Sequence, residues 1–180
     1  MSRQPDLSRE QGLWARGYAR IAGLDEAGRG AWAGPVVAAA VILPRDHSEM
    51  TTILSPVRDS KLLSPRQREA CYELIVRHAL AYGVGWAMAD EIDRIGIVPA
   101  TRLAMSQAIQ SLAMSPDHLL IDALPLPDIA IPQWAMPKGD RDCLSIAAAS
   151  IIAKVSRDRW MIALDAQTPG YGLAQHKGYG

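Results

Sequence analysis

Ile21-Ala22-Gly23-Leu24-Asp25-Glu26-Ala27-Gly28-Arg29-Gly30 joins a short apolar run to two adjacent acids and then to a Gly-Arg-Gly turn. Arg20 to Leu24 reads as a strand. Its end carries concentrated negative charge, which is costly unless something positive neutralises it. The glycines free the backbone for tight turns or close ligand approach, and Arg29 adds a planar fork suited to phosphate. Acids for a cation beside a clamp for an anion point to metal-assisted chemistry on a phosphodiester. A solvated turn after a strand accounts for this stretch equally well, so the choice depends on the rest of the chain.

Downstream, Val36-Val37-Ala38-Ala39-Ala40-Val41-Ile42-Leu43 reads as a strand buried on both faces, with the Gly-rich stretch as a hairpin connection carrying the acids at its base. Residues 44–57 read as a loop. Ser64, Pro65 and Gln67 then supply an N-cap, a first helical residue and a capping box, and apolar residues at helical spacing carry that helix to about Ala81. A third strand is expected over 83–89, a short helix over 90–95 and a longer helix from Pro99 to the Ser115-Pro116 stop. Leu119-Leu120-Ile121-Asp122 is a short strand ending in an acid, and 129–136 is extended and near an edge because Pro132 interrupts it. A long Ala- and Ile-rich helix runs from Ser145 to about Ala166. Residues 1–18 are polar and without periodicity, a loosely ordered lead-in. Strand pairs followed by strand–helix alternation give an α/β domain with a mixed sheet.

At 180 residues, 49% hydrophobic and 21% charged, the chain suits one soluble globular domain. Its formal net charge of zero argues against bulk electrostatic capture of nucleic acid, so a polyanion site must be a local basic patch. Cys71 and Cys143 lie far apart with no metal-ligand spacing and read as reduced core thiols. No signal peptide and no run of about 18 apolar residues occurs, so a cytoplasmic chain without a membrane partner is expected.

Asp122 is the second acid at a strand end, where α/β sheets form their sites, although a lone Asp there is also a common turn residue or cap. Asp140, in Lys138-Gly139-Asp140, precedes the long helix; Asp142 and Asp158 compete with it, and spacing does not choose among them. If Asp25, Glu26, Asp122 and Asp140 converge, bound cations or raised pKa values must relieve their repulsion. All-oxygen ligands select Mg²⁺ or Mn²⁺ over zinc. Two such ions roughly 3.5–4 Å apart suit phosphodiester hydrolysis. No Ser–His–Asp elbow, P-loop or dinucleotide fingerprint is present.

The ordered set Asp-Glu-Ala-Gly-Arg-Gly, Ala-Gly-Pro-Val-Val-Ala-Ala-Ala-Val-Ile-Leu, Asp-Ser-Lys-Leu-Leu-Ser, Leu-Ile-Asp, Lys-Gly-Asp, Ser145 to Asp158 and the closing Gln175-His176-Lys177-Gly178-Tyr179 resembles bacterial ribonuclease HII over residues 20–180. That resemblance implies the ribonuclease H-like fold, a mixed five-stranded sheet flanked by helices. It also implies Mg²⁺- or Mn²⁺-dependent endonucleolytic cleavage of RNA paired with DNA, and of single ribonucleotides embedded in duplex DNA, leaving 3′-hydroxyl and 5′-phosphate ends. By motif match Asp25, Glu26, Asp122 and Asp140 are the catalytic acids, with Asp25, Glu26 and Asp122 the surer metal ligands. Gly28, Arg29 and Gly30 match the turn that reads the ribose 2′-hydroxyl. Tyr179 matches an aromatic that stacks beside the following deoxyribose, and Lys61 matches a phosphate contact. Ser145 is expected to cap the long helix, His176 to be structural, and His47, His78 and His118 to be incidental.

Family members usually continue past the tyrosine motif through another helix and a basic tail. The expected organisation is therefore a 1–19 lead-in and a 20–180 catalytic domain, C-terminally shortened, with a weaker and more salt-sensitive grip on substrate. A monomer is expected. Trp32 is bulkier than the residue expected there, and packs near the substrate or against the first helix. Two other readings remain at this point: a hybrid-binding chain with little or no turnover, and a nuclease or transposase-like enzyme of the same acid geometry that cuts all-DNA duplexes.

Overall fold

The computed structural model describes residues 4–45 and 49–180, so His47 lies outside the described residues. Strands β1 (Ile21–Ala27) and β2 (Val36–Ile42) form the hairpin expected from the sequence, antiparallel with Ala27 opposite Val37. β2 is buried along its whole length, as its unbroken apolar run requires. β3 (Ala81–Ala87) adds antiparallel to β2, whereas β4 (His118–Asp122) and β5 (Gln133–Met136) add parallel on the other side of β1. The order β3-β2-β1-β4-β5 makes a mixed five-stranded sheet with β5, just after Pro132, at an edge.

Helices cover both faces. On one, α7 (Leu144–Gln167) packs across β1 and β2, with α3 (Pro65–His78) against it. On the other, α5 (Ile97–Gln110) packs on β2 and β3, preceded by α4 (Ala89–Ile95). Side chains alternate along the strands, so Ile21, Ala27, Ala39 and Leu120 join the α7-side core while Ala22, Leu24, Ala38 and Ile121 join the α5-side core. Gly23 is the point of closest approach: a Cβ there would lie 2.2 Å from the Ser145 carbonyl carbon, so only glycine lets α7 settle onto β1.

α3 starts as expected. Ser64 accepts from the Gln67 amide, and the Gln67 side chain accepts from the Ser64 amide. It ends at His78 rather than about Ala81, because Ala81 is taken up opposite Ile42 as β3 begins. The 44–57 segment contains a four-residue helix, α2 (Met50–Ile53), anchored by buried Met50.

The loosely ordered lead-in is corrected for residues 8–15, which form α1 (Ser8–Ala15), with Leu13 and Trp14 in the α7-side core. Its buried Glu10 accepts from both the Ser145 amide (2.9 Å) and the Ser145 hydroxyl (2.6 Å). This also corrects the expected cap. Ser145 lies inside α7 and donates, and the acceptor that satisfies the helix start comes from α1. Among the described residues no helix is long and apolar enough to cross a membrane.

Candidate active site

The register of the central strands brings the first two acids together. β1 and β4 run parallel with Leu24 opposite Ile121, so the next residues, Asp25 and Asp122, leave the sheet side by side. By alternation both share the α7 face with Ile21 and Leu120, and Glu26 shares the opposite face with Leu24. The third contributor is α6 (Gly139–Asp142), a single turn ahead of α7 that carries buried Asp140. The Gly139 amide donates to Asp122 Oδ1 (2.8 Å) and the Glu26 amide to Asp25 Oδ1 (2.7 Å), so backbone groups orient two of the carboxylates. Ala123 and Lys138, next to these acids, both hold left-handed backbone (φ 56° and 61°), a conformation costly for non-glycine residues and concentrated at functional sites.

The electrostatics show a cluster short of positive charge. Burial raises the Asp25 carboxyl well above the usual carboxylate range, and Glu26, Asp122 and Asp140 add repulsion. Glu26 is also raised by burial, opposed chiefly by Arg29, whose Nη1 lies 3.6 Å from Glu26 Oε1. Asp140 is pushed up to about 6 by burial, then by Asp59 and Asp122. Glu26 Oε2 is buried without a hydrogen-bond partner. Among the described residues no three His, Cys, Asp or Glu side chains are already closed around an ion-sized point. The donor set nevertheless fits a hard divalent cation: oxygen ligands only, an unsatisfied buried carboxylate oxygen, and negative charge with too few cations to balance it.

Against this cluster lies a cleft of about 430 Å³. Glu26, Gly28, Arg29, Gly30, Lys61 and Tyr179 all line it, so the structure gathers every expected substrate-binding residue beside one of the acids. Gly28 has φ 97°, and a Cβ there would meet Arg157 Nε at 2.2 Å; the space over Gly30 is open. Lys61 sits in a 3₁₀ turn (Ser60–Leu62) where Asp59 accepts from its amide at 3.0 Å. Tyr179 follows α8 (Leu173–His176). There His176 accepts from the Gly178 amide through Nδ1 and donates from Nε2 to the Tyr171 carbonyl, a structural role. Trp32 is 91% exposed beside the Gly-Arg-Gly turn, so it is not packed against the first helix expected from the sequence, α3.

Of the competing acids, Asp158 projects from α7 and pairs with Lys154 (2.7 Å) and Arg68 (3.7 Å). Asp142 lines a separate cavity of about 520 Å³ with Arg58, Asp59 and Arg141. Only Asp140 of the three joins Asp25 and Asp122 in mutual repulsion. His118 is buried edge-on to Tyr18, and His78 ends α3.

Three residues of the site escaped the sequence reading. Lys154 lines the 430 Å³ cleft and holds its ammonium 4.9 Å from the Tyr179 ring centre. Asp59 is buried, faces Asp140 and pairs with Arg141 (3.7 Å); its position two residues before Lys61, that of a turn cap, was the available signal. Arg157, fully buried, had its signal in the Lys154-to-Arg157 helical spacing, which puts both on the Tyr179 side of α7.

A mixed five-stranded sheet with acids at adjacent central strand ends and helices on both faces is the ribonuclease H-like architecture. The chain superimposes on ribonuclease H2 of Pyrococcus horikoshii with a TM-score of 0.72 at 27% identity, covering 89% of this chain and 81% of that one. The RNase HII of Archaeoglobus fulgidus, solved in complex with PCNA, gives 0.73 at 28% identity, covering 89% and 80%. The family model for ribonuclease HII matches residues 22–180, and ribonuclease HII of Dehalococcoides mccartyi is 55% identical over 177 residues, 98% of this chain and 82% of that protein. The chain belongs to the ribonuclease HII family.

Proposed function

We infer that this chain is an endoribonuclease that hydrolyses the RNA strand of RNA–DNA hybrids and cuts at single ribonucleotides in duplex DNA, leaving 3′-hydroxyl and 5′-phosphate ends. The observation that carries the reading is the side-by-side exit of Asp25 and Asp122 from parallel strands, with Glu26 opening onto the cleft that Gly28–Gly30, Lys61 and Tyr179 line. Asp25, Glu26 and Asp122, with Asp140 beside them, would hold the metal. When bound, Mg²⁺ or Mn²⁺ (two ions in this reading) supplies the positive charge that favours an attacking water and a leaving oxygen on phosphorus.

The chain's own residues do the rest. Buried carboxylates, costly when ionised without a partner, form a site whose negative charge is balanced when cations are present. Arg29 and Lys61 hold backbone phosphate, and the open backbone at Gly28–Gly30 approaches the sugar closely enough to distinguish a 2′-hydroxyl from hydrogen. The Tyr179 ring, backed by Lys154 and Arg157 at 4.9 and 5.1 Å, offers a fixed face to the neighbouring deoxyribose. Two free buried cysteines accord with a reducing cytoplasm, and the reading is of a monomer. No observation favours the binding-only alternative.

The test is a duplex carrying one ribonucleotide, compared with the same all-DNA duplex, with Mg²⁺, Mn²⁺ or chelator. Metal-dependent cleavage of the first alone is expected. Cleavage of both, or of neither, overturns the reading.

A further inference from the structure

Among the described residues Arg157 is the largest fully buried side chain, and its hydrogen bonds go to none of Asp25, Glu26, Asp122 and Asp140. A buried guanidinium is retained only where its donors are satisfied. Here every partner is a backbone carbonyl from one of two loops. Nε donates to Pro35 O (2.8 Å), Nη2 to Ala33 O (2.9 Å), and Nη1 to Lys177 O (2.8 Å). The first two belong to the loop that begins with Gly28-Arg29-Gly30, and the third belongs to the turn that presents Tyr179. The guanidinium also lies 5.1 Å from the Tyr179 ring centre. The same two loops meet directly, since the Trp32 amide (2.8 Å) and the Ala33 amide (3.3 Å) both donate to Gly178 O. Gly28 is tied in as well, because any Cβ there would strike Arg157 Nε. The two walls of the cleft, distant in sequence, thus share one rigid fork.

We propose that Arg157 is a positioning residue that locks the Gly28–Pro35 loop and the Lys177–Tyr179 turn into a single ribose-recognition unit, so that ribonucleotide recognition depends on it while metal binding does not. The proposal rests on the endoribonuclease reading for its substrate, but its structural half does not. Lysine retains the charge and replaces three fixed donors at different angles with one point donor. Loosened walls weaken substrate positioning without moving Asp25 or Asp122.

The experiment compares wild type with Arg157→Lys in three measurements. Amide hydrogen exchange is expected to accelerate at least about tenfold at Trp32 and Ala33, whose bonds to Gly178 the fork braces. KM for the single-ribonucleotide duplex is expected to rise at least about tenfold, with kcat within about threefold. Mn²⁺ affinity by calorimetry is expected to stay within about threefold. Unchanged exchange or unchanged KM overturns the proposal, and so does a parallel loss of Mn²⁺ affinity, which would mark general disruption. If Arg157→Lys does not fold, Gly178→Ala breaks the same clasp from the other side, since its Cβ would lie 2.2 Å from Ala33 O. The same three expectations and refutations apply to it. A wild type that fails to cleave the ribonucleotide duplex refutes the endoribonuclease reading, while the exchange measurement still decides the coupling of the loops.

Discussion

Replacing Glu10 with alanine should destabilise the protein far more than its place near the N-terminus suggests. Glu10 is 1% exposed, and its Oε1 accepts from both the amide and the hydroxyl of Ser145, itself fully buried in the first turn of α7. Removing the carboxylate leaves two buried donors without a partner, at about 1–3 kcal/mol each. Relief of the buried charge offsets part of this, leaving a net loss of about 2–4 kcal/mol. For a domain of this size that corresponds to a fall in Tm of roughly 4–16 °C. Glu10→Gln retains an acceptor and should cost less than about 1 kcal/mol.

The same pair of variants tests the electrostatics. Burial, the largest influence, raises the Glu10 carboxyl above its usual 4.5 despite the Ser145 hydrogen bonds that lower it. The folded protein therefore holds this proton more tightly than the unfolded chain does. Its contribution favours the fold fully below about 4.5 and is lost as pH rises through the raised value. Urea unfolding followed by tryptophan fluorescence, with Trp14 on the same helix as a reporter, should show wild type gaining on Glu10→Gln as pH is lowered from about 8 to about 4. A flat difference between the two, or Glu10→Ala within about 0.5 kcal/mol of wild type, would refute the capping role.

Three further outcomes are expected. Gly23→Ala drives a Cβ to within 2.2 Å of the α7 backbone and should cost more than about 3 kcal/mol, read as lost soluble yield or a large fall in Tm; near-normal stability would show that α7 can shift. Ser64→Ala removes one half of the α3 capping box and should lower stability by about 1 kcal/mol in urea titrations, leaving cleavage unaffected. Lys61→Ala should weaken hybrid binding uniformly across sequences and flatten the log–log salt dependence by about 0.9, the share of one phosphate contact.

Features encoded locally were readable from sequence. Ser64-Pro65-Gln67 announced a helix start because every bond of a capping box lies within four residues, and the unbroken apolar run of β2 announced burial on both faces. Asp25 and Asp122 were visible as acids ending apolar strands. Spacing did not show which acid would join them, because Asp140, Asp142 and Asp158 differ in where α6 and α7 place them, and only the family motif singled out Asp140. α1 was missed because its helix is weakly amphipathic, and what holds it is the bond from Glu10 to a residue 135 positions away. Spacing put Arg157 on the same side of α7 as Lys154, but what it holds was hidden. Its partners are carbonyl groups, which every residue carries, so nothing at positions 33, 35 or 177 advertises the contact. The local alphabet shows which residues can do chemistry, and tertiary placement decides which ones are held still.

Calorimetric titration of Mn²⁺ into the wild-type protein, Asp25→Asn and Asp122→Asn tests most directly that acids from separate strands share a cation. Wild type should bind Mn²⁺, and each variant, folded by circular dichroism, should lose at least about tenfold in affinity, because each removes one charged oxygen donor from the same site. Variants that bind as tightly as wild type would show that Asp25 and Asp122 do not meet around a common ion.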